Sequence, residues 1–110
     1  MFDMMKMMGK VKEVQGKMKE AQDQLKDLRA QGESGGGLVK ATANGNKELL
    51  NLSIDDSLVN IADKEMMRDL IVAAVNKAVS EADAISKEHI RKSTEGMLPN
   101  MPGMDFSGFA

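Results

Sequence analysis

The 110-residue chain has no cysteine, tryptophan or tyrosine, and its aromatic residues are three phenylalanines near the two ends. Without cysteine, disulfides, zinc–thiolate sites and thiol nucleophiles are excluded. The shortage of aromatic rings argues against binding of single-stranded nucleic acid by base stacking. No apolar run approaches the roughly 20 residues of a membrane span, and charged residues interrupt the Met-rich start from Asp3 onwards. We therefore expect no membrane partner and a cytoplasmic protein.

Groups able to perform catalysis are equally scarce. The one histidine, His89, is not accompanied by carboxylates at metal-ligand spacing. The run Gly35-Gly36-Gly37 precedes a predicted strand, whereas a phosphate-binding loop precedes a helix. We expect a protein that is not an enzyme, with no metal, no cofactor and no small-molecule substrate.

The N-terminal quarter of the chain carries an unbroken heptad pattern, which predicts a long helix over residues 2–29. Such a helix is about 42 Å long, and a compact domain of this size is only about 35 Å across. The apolar seam therefore packs either on a second helix of an elongated monomer, which we favour, or on another chain. The seam positions are Met4, Met7, Val11, Val14, Met18, Ala21, Leu25 and Leu28.

Alternating apolar residues over 38–43 and 48–54 predict two strands. The intervening Asn44-Gly45 is typical of a type I′ turn, so the two strands form a hairpin. The polar stretch 31–36 is either a loop or an added edge strand, and its composition alone favours the loop.

A second long helix follows the hairpin, capped by Asn60 or Asp63 and fading near Lys92. Its apolar stripe is rich in alanine, which permits close packing against a neighbouring helix. Residues 1–95 then form one α+β domain of long helix, small antiparallel sheet and long helix. Residues 96–110, rich in Met, Pro and Gly, are predicted to be a flexible tail.

The net charge is −2, but the positive charges are concentrated in two windows, 6–19 and 84–94. If the helices run antiparallel, the start of the first and the end of the second form one cationic tip. Charge runs are commonly only solvated, and the alternative is lysine–phosphate contact with duplex DNA with little sequence preference. The candidate DNA-binding residues are Lys6, Lys10, Lys12, Lys87, Arg91 and Lys92.

Several separate blocks agree in order and spacing with one known family. They are the Met- and Lys-rich first helix, the run GESGGGLVKATANG from Gly32, LSID from Leu52, and DLIVAAVNKA from Asp69. Together they resemble the YbaB/EbfC family of bacterial nucleoid-associated proteins, over nearly the whole chain.

The resemblance implies a three-stranded antiparallel sheet between two long helices, with the stretch 31–36 as its first strand. It also implies a tweezer-like homodimer whose helical arms bind double-stranded DNA, with effects on nucleoid organisation and gene expression. The family's charged helix ends correspond here to the six residues already named. The alternative is a non-enzymatic adaptor that binds a protein partner through its Met/Lys-rich first helix.

Overall fold

The computed structural model describes residues 4–59 and 62–95. Helix α1 spans Met4–Gln24 and continues as a 3-10 turn over Leu25–Asp27. The strands β1 (Ala30–Ser34), β2 (Val39–Ala43) and β3 (Leu49–Ile54) form an antiparallel sheet in sequence order. A short helix α2 (Asp56–Val59) then leads to the long helix α3 (Lys64–Ser93). The expected α+β fold of helix, three-stranded sheet and helix is confirmed; Asn60 and residues 96–110 lie outside the described residues.

Stretch 31–36 is mainly strand, in agreement with the family resemblance and against its composition. Gln31 and Glu33 point to solvent, whereas Ala30, Gly32 and Ser34 are buried against α3. A hypothetical Cβ on Gly32 would lie 2.3 Å from the Ala78 backbone nitrogen. Because glycine is the residue without a Cβ, this strand can lie directly on the helix backbone.

The main core lies between the sheet and the alanine stripe of α3. Ala74, Ala78 and Ala82 are fully buried and pack against β1 and β2, where Val39 and Ala41 are also fully buried. The small side chains therefore bring α3 close to the sheet. The expectation that this alanine face receives α1 is wrong, because the sheet already occupies it.

The hairpin between β2 and β3 is confirmed, but its type I′ turn is not. Lys47 has the positive φ of 64°, and its N–H donates to the Asn44 carbonyl at 3.0 Å. Asn44 Oδ1 accepts the N–H groups of Asn46 and Glu48 at 2.9 and 3.1 Å, which closes a wider loop. Gly45 is needed for close approach instead, since a Cβ there would lie 2.7 Å from the Leu25 carbonyl oxygen.

Only the second half of the heptad seam is covered by α3. Ala21 and Leu25 are buried with Ile90, and Met18 and Leu28 pack beside them. Met7 and Val11 stay 66% and 55% exposed. The two helices are antiparallel, as expected, but α3 ends beside the second half of α1.

The molecule is consequently elongated. Its principal extents are 75 × 25 × 16 Å and its radius of gyration is 19.8 Å, whereas a compact chain of this length has a radius of gyration of about 13 Å. At 1.5 Å per residue, the segment of α1 from Met4 to Lys17 projects about 20 Å beyond the end of α3. We call this segment, residues 4–17, the arm.

Candidate nucleic-acid interface

Three lysines of the arm lie apart from the described carboxylates. Lys6, Lys10 and Lys12 are exposed, and none of them forms an ion pair with a carboxylate in the described parts of the chain. Lys17, at the base of the arm, lies 3.8 Å from Glu20. The arm beyond Lys17 therefore carries exposed positive charge that no described carboxylate pairs with.

The cations near the end of α3 are each held by an acid on the same helix. Arg91 forms a two-pronged contact with Glu88, at 3.0 Å from Nε and 2.7 Å from Nη2. Lys92 lies 4.0 Å from the same carboxylate. The hydrogen bonds from Arg91 lower the pKa of Glu88 and raise the pKa of Arg91. To bind a phosphate, either cation must weaken or break its ion pair with Glu88.

Lys87 belongs to a second cluster, centred on Asp83. The Asp83 carboxylate accepts Lys47 Nζ at 2.8 Å and Lys87 Nζ at 3.1 Å. The hydrogen bond from Lys47, and after it the one from Lys87, lower the pKa of Asp83 and so favour its ionised form. Lys47 comes from the hairpin loop, so the cluster ties that loop to α3.

The structure does not bring the six predicted residues together at one tip. Helix α3 ends at Ser93, which lines a surface depression with Lys17, Glu20 and Gln24 of α1. The cations of α3 therefore lie level with the second half of α1, and Lys6 and Lys10 lie farther out along the arm. The expectation that the start of α1 and the end of α3 form one cationic tip is therefore wrong, because α3 ends beside Lys17 and Glu20.

The junction between the helices holds the arm in a fixed direction. Ile90, 4% exposed, packs on Ala21 and Leu25. Beside this contact, His89 Nε2 and Gln24 Oε1 are 2.8 Å apart, and the buried Thr94 hydroxyl donates to the Ile90 carbonyl at 3.0 Å. These contacts join the base of the arm to the last turns of α3.

Sequence reasoning missed Lys47 and Asp83 as parts of the charged surface. Lys47 lies in a loop 36 residues before Asp83, and neither residue belongs to a charge run. The one available signal was the i, i+4 spacing of Asp83 and Lys87, which is typical of helical ion pairs.

Among residues 4–59 and 62–95, no three or more His, Asp or Glu side chains form a group that could hold a metal ion. Over the same residues, no helix combines the length and apolarity that crossing a membrane requires.

Known proteins are similar to this chain in sequence and in fold. The YbaB/EbfC DNA-binding family matches residues 1–97. The chain belongs to this family. Among relatives of this family member, Nucleoid-associated protein R00231 of Rhizobium meliloti (strain 1021) is 45% identical over 104 residues, covering 94% of this chain and 96% of the relative.

Nucleoid-associated protein Anae109_3761 of Anaeromyxobacter sp. (strain Fw109-5) is 42% identical over 102 residues, which are 92% of this chain and 99% of the relative. A crystal structure of the uncharacterized protein HP0035 from Helicobacter pylori aligns with a TM-score of 0.67 and 30% identity. The alignment covers 80% of this chain and 92% of the HP0035 chain. This YbaB/EbfC member is thus similar to nucleoid-associated proteins along almost its whole length.

Proposed function

We propose that this protein is a nucleoid-associated protein that binds duplex DNA through the cations of α1 and α3 and acts as a homodimer in the cytoplasm. The observation that carries the proposal is the arm, a projecting helix in a member of a DNA-binding family, with three exposed lysines that make no ion pair within residues 4–59 and 62–95. Lysines at such a surface bind phosphate and release counterions whatever the base sequence. The consequences would be changes in nucleoid organisation and gene expression.

The proposed contact set keeps the six predicted residues but ranks them by their neighbours. The arm lysines Lys6, Lys10 and Lys12 contribute most per residue, because none of them is ion-paired with a carboxylate among the described residues. Lys87, Arg91 and Lys92 contribute less per residue, because Asp83 and Glu88 hold them in the free protein. Bound phosphate must offset the loss of those ion pairs.

The exposed apolar edge of β3 supports the homodimer. Leu49 and Leu50 at the start of β3 are 46% and 48% exposed, and no strand among residues 4–59 and 62–95 pairs with the outer edge of β3. An open strand edge with apolar side chains invites pairing with a second copy. We propose that the sheets of two copies meet along β3 in the tweezer-like homodimer.

The decisive experiment compares two triple variants that remove the same charge. The first variant, the arm variant, changes Lys6, Lys10 and Lys12 to Gln. The second, the control variant, changes three cations on the sheet and at the start of α3 to Gln: Lys40, Lys64 and Arg68. Duplex affinity is measured across a range of salt concentrations. Each lost phosphate contact reduces the steepness of log affinity against log salt by about 0.9. The slope of the arm variant is therefore shallower than that of the wild type by about 2.7.

The control variant retains a slope close to that of the wild type if contact residues, and not overall charge, govern binding. Equal slopes in the two variants would remove the arm from the DNA site. The same samples give the oligomeric state, where we expect a dimer that Leu50→Lys converts to a monomer; a Leu50→Lys dimer would contradict the β3 interface.

A protein-binding adaptor is the second candidate, because Met5, Met7 and Met8 are 89%, 66% and 60% exposed on the same arm. Flexible methionine surfaces accommodate varied apolar partners. Excess duplex DNA separates the two functions. An adaptor keeps its protein partner in the presence of DNA and shows no duplex binding at low salt.

A further inference from the structure

Three lysines of α1 and its 3-10 turn recur at intervals of seven residues: Lys12, Lys19 and Lys26. Residues seven apart on a helix lie within about 20° of each other, so the three form one stripe about 21 Å long. All three are exposed, and none makes an ion pair with a described carboxylate. We call Lys12, Lys19 and Lys26 the lysine stripe.

The contacts at the helix junction determine which side of the molecule the stripe occupies. Leu25 faces α3, and Gln24, about 100° to one side of it around the helix, bonds to His89. Lys26 lies about 100° to the other side of Leu25. The stripe therefore lies on the side of α1 opposite the Gln24–His89 contact.

The same reasoning places the cations of α3. Ile90 faces α1, and His89 lies about 100° to one side of it, towards Gln24. Arg91 lies about 100° to the other side of Ile90, and Lys87 lies about 60° to that same side. Lys87 and Arg91 thus share a side of the molecule with the lysine stripe.

The two sides differ in how their charges are satisfied. On the Gln24 side, Lys17 faces Glu20 at 3.8 Å. On the stripe side, Lys87 and Arg91 have acidic partners, whereas no described carboxylate pairs with a stripe lysine. This includes Asp23, which lies four residues after Lys19. The stripe therefore extends the unpaired positive charge of the arm along α1 as far as Lys26.

We propose that Lys19 and Lys26 are further DNA-contacting residues and that the duplex lies along this side of the α1–α3 pair instead of only at the outer end of the arm. The inference rests on the proposed duplex binding. Successive stripe lysines are about 10.5 Å apart along the axis, close to the 12 Å width of the major groove. A helix crossing the groove can thus place successive lysines at phosphates on its two edges.

The test is the double variant Lys19→Gln/Lys26→Gln, matched by Lys40→Gln/Lys64→Gln, which removes the same charge elsewhere. Lysine and glutamine have similar helix propensities, and circular dichroism and thermal unfolding verify that both variants fold. Two lost contacts flatten the salt slope of the stripe variant by about 1.8 for each bound chain. Between about 50 and 200 mM salt, its affinity then falls about 12-fold less than that of the wild type.

The outcomes separate this inference from the function on which it rests. If the wild type shows no salt-dependent duplex binding, duplex binding itself is wrong and the stripe with it. If the wild type binds but the stripe variant keeps the slope of its matched control, only the stripe is refuted. If the slope is flattened in the stripe variant but not in its matched control, Lys19 and Lys26 are supported as contacts. This holds whatever the arm variant shows.

Discussion

Gly32→Ala is a substitution for which the structure predicts a large loss of stability, because the added Cβ meets only backbone atoms. The added Cβ would lie 2.3 Å from the Ala78 nitrogen, 2.5 Å from the Ala74 oxygen and 2.8 Å from the Lys77 carbonyl carbon. All three are backbone atoms of α3, so no side-chain rotation relieves the contact. The helix must move away from β1 by about 1 Å to reach ordinary van der Waals separation.

That movement loosens the main core. Gaps of 0.5–1 Å forfeit about a quarter to a half of each dispersion contact, and the fully buried Val39, Ala41 and Ala78 all lie at this boundary. Overpacked cores lose about 1–3 kcal/mol, and the rigid backbone places Gly32→Ala at about 3 kcal/mol. For a domain of this size the melting temperature falls by about 15 °C.

The matched control is the same substitution at Gly16, which is exposed within α1 and has nothing within 4 Å of its hypothetical Cβ. There alanine favours the helix and adds about 0.5–1 kcal/mol. Thermal and urea unfolding at one protein concentration measure both variants. A Gly32→Ala protein as stable as the wild type would refute the close packing of α3 on β1.

Two further predictions concern the junction and the charged clusters. Ile90→Ala removes the centre of the α1–α3 contact and destabilises the protein by about 2–4 kcal/mol in urea unfolding; an unchanged midpoint would show that α1 is held by other contacts. Asp83 has a lowered pKa in the folded state, so its stabilisation is present above pH 3.8 and is lost as the pH falls through the lowered pKa. Asp83→Asn therefore flattens the acid side of the stability–pH curve, measured by unfolding at several pH values. It also strengthens duplex binding, because it releases Lys47 and Lys87. Weaker duplex binding by this variant would contradict competition between the carboxylate and phosphate for these lysines.

Local patterns predicted the elements well because each has its own physical signal. Alternation identified β2 and β3, and the Asp63 cap is confirmed by its 3.1 Å bond from the Met66 N–H. The run of apolar heptad positions predicted α1, although its α-helical part ends at Gln24. The chain leaves the helix there because Leu25 packs on Ile90 and its carbonyl accepts the Gly45 N–H at 2.8 Å.

The arrangement of the charged residues could not be read from the same patterns. A heptad indicates that a seam requires a partner but not how much of it one partner covers, and α3 covers only the part from Met18 onwards. The positions of Lys87 and Arg91 depend on where α3 ends relative to α1. Because the alanine face of α3 packs on the sheet, only its last turns reach α1.

The central claim is that exposed lysines of α1 bind phosphate on duplex DNA. The most direct test is an equilibrium titration of the wild-type protein with random-sequence duplex at several salt concentrations. Three arm contacts alone predict that log affinity falls with log salt at a slope of about −2.7 or steeper for each bound chain. A slope near zero, or no binding at low salt, would contradict the account.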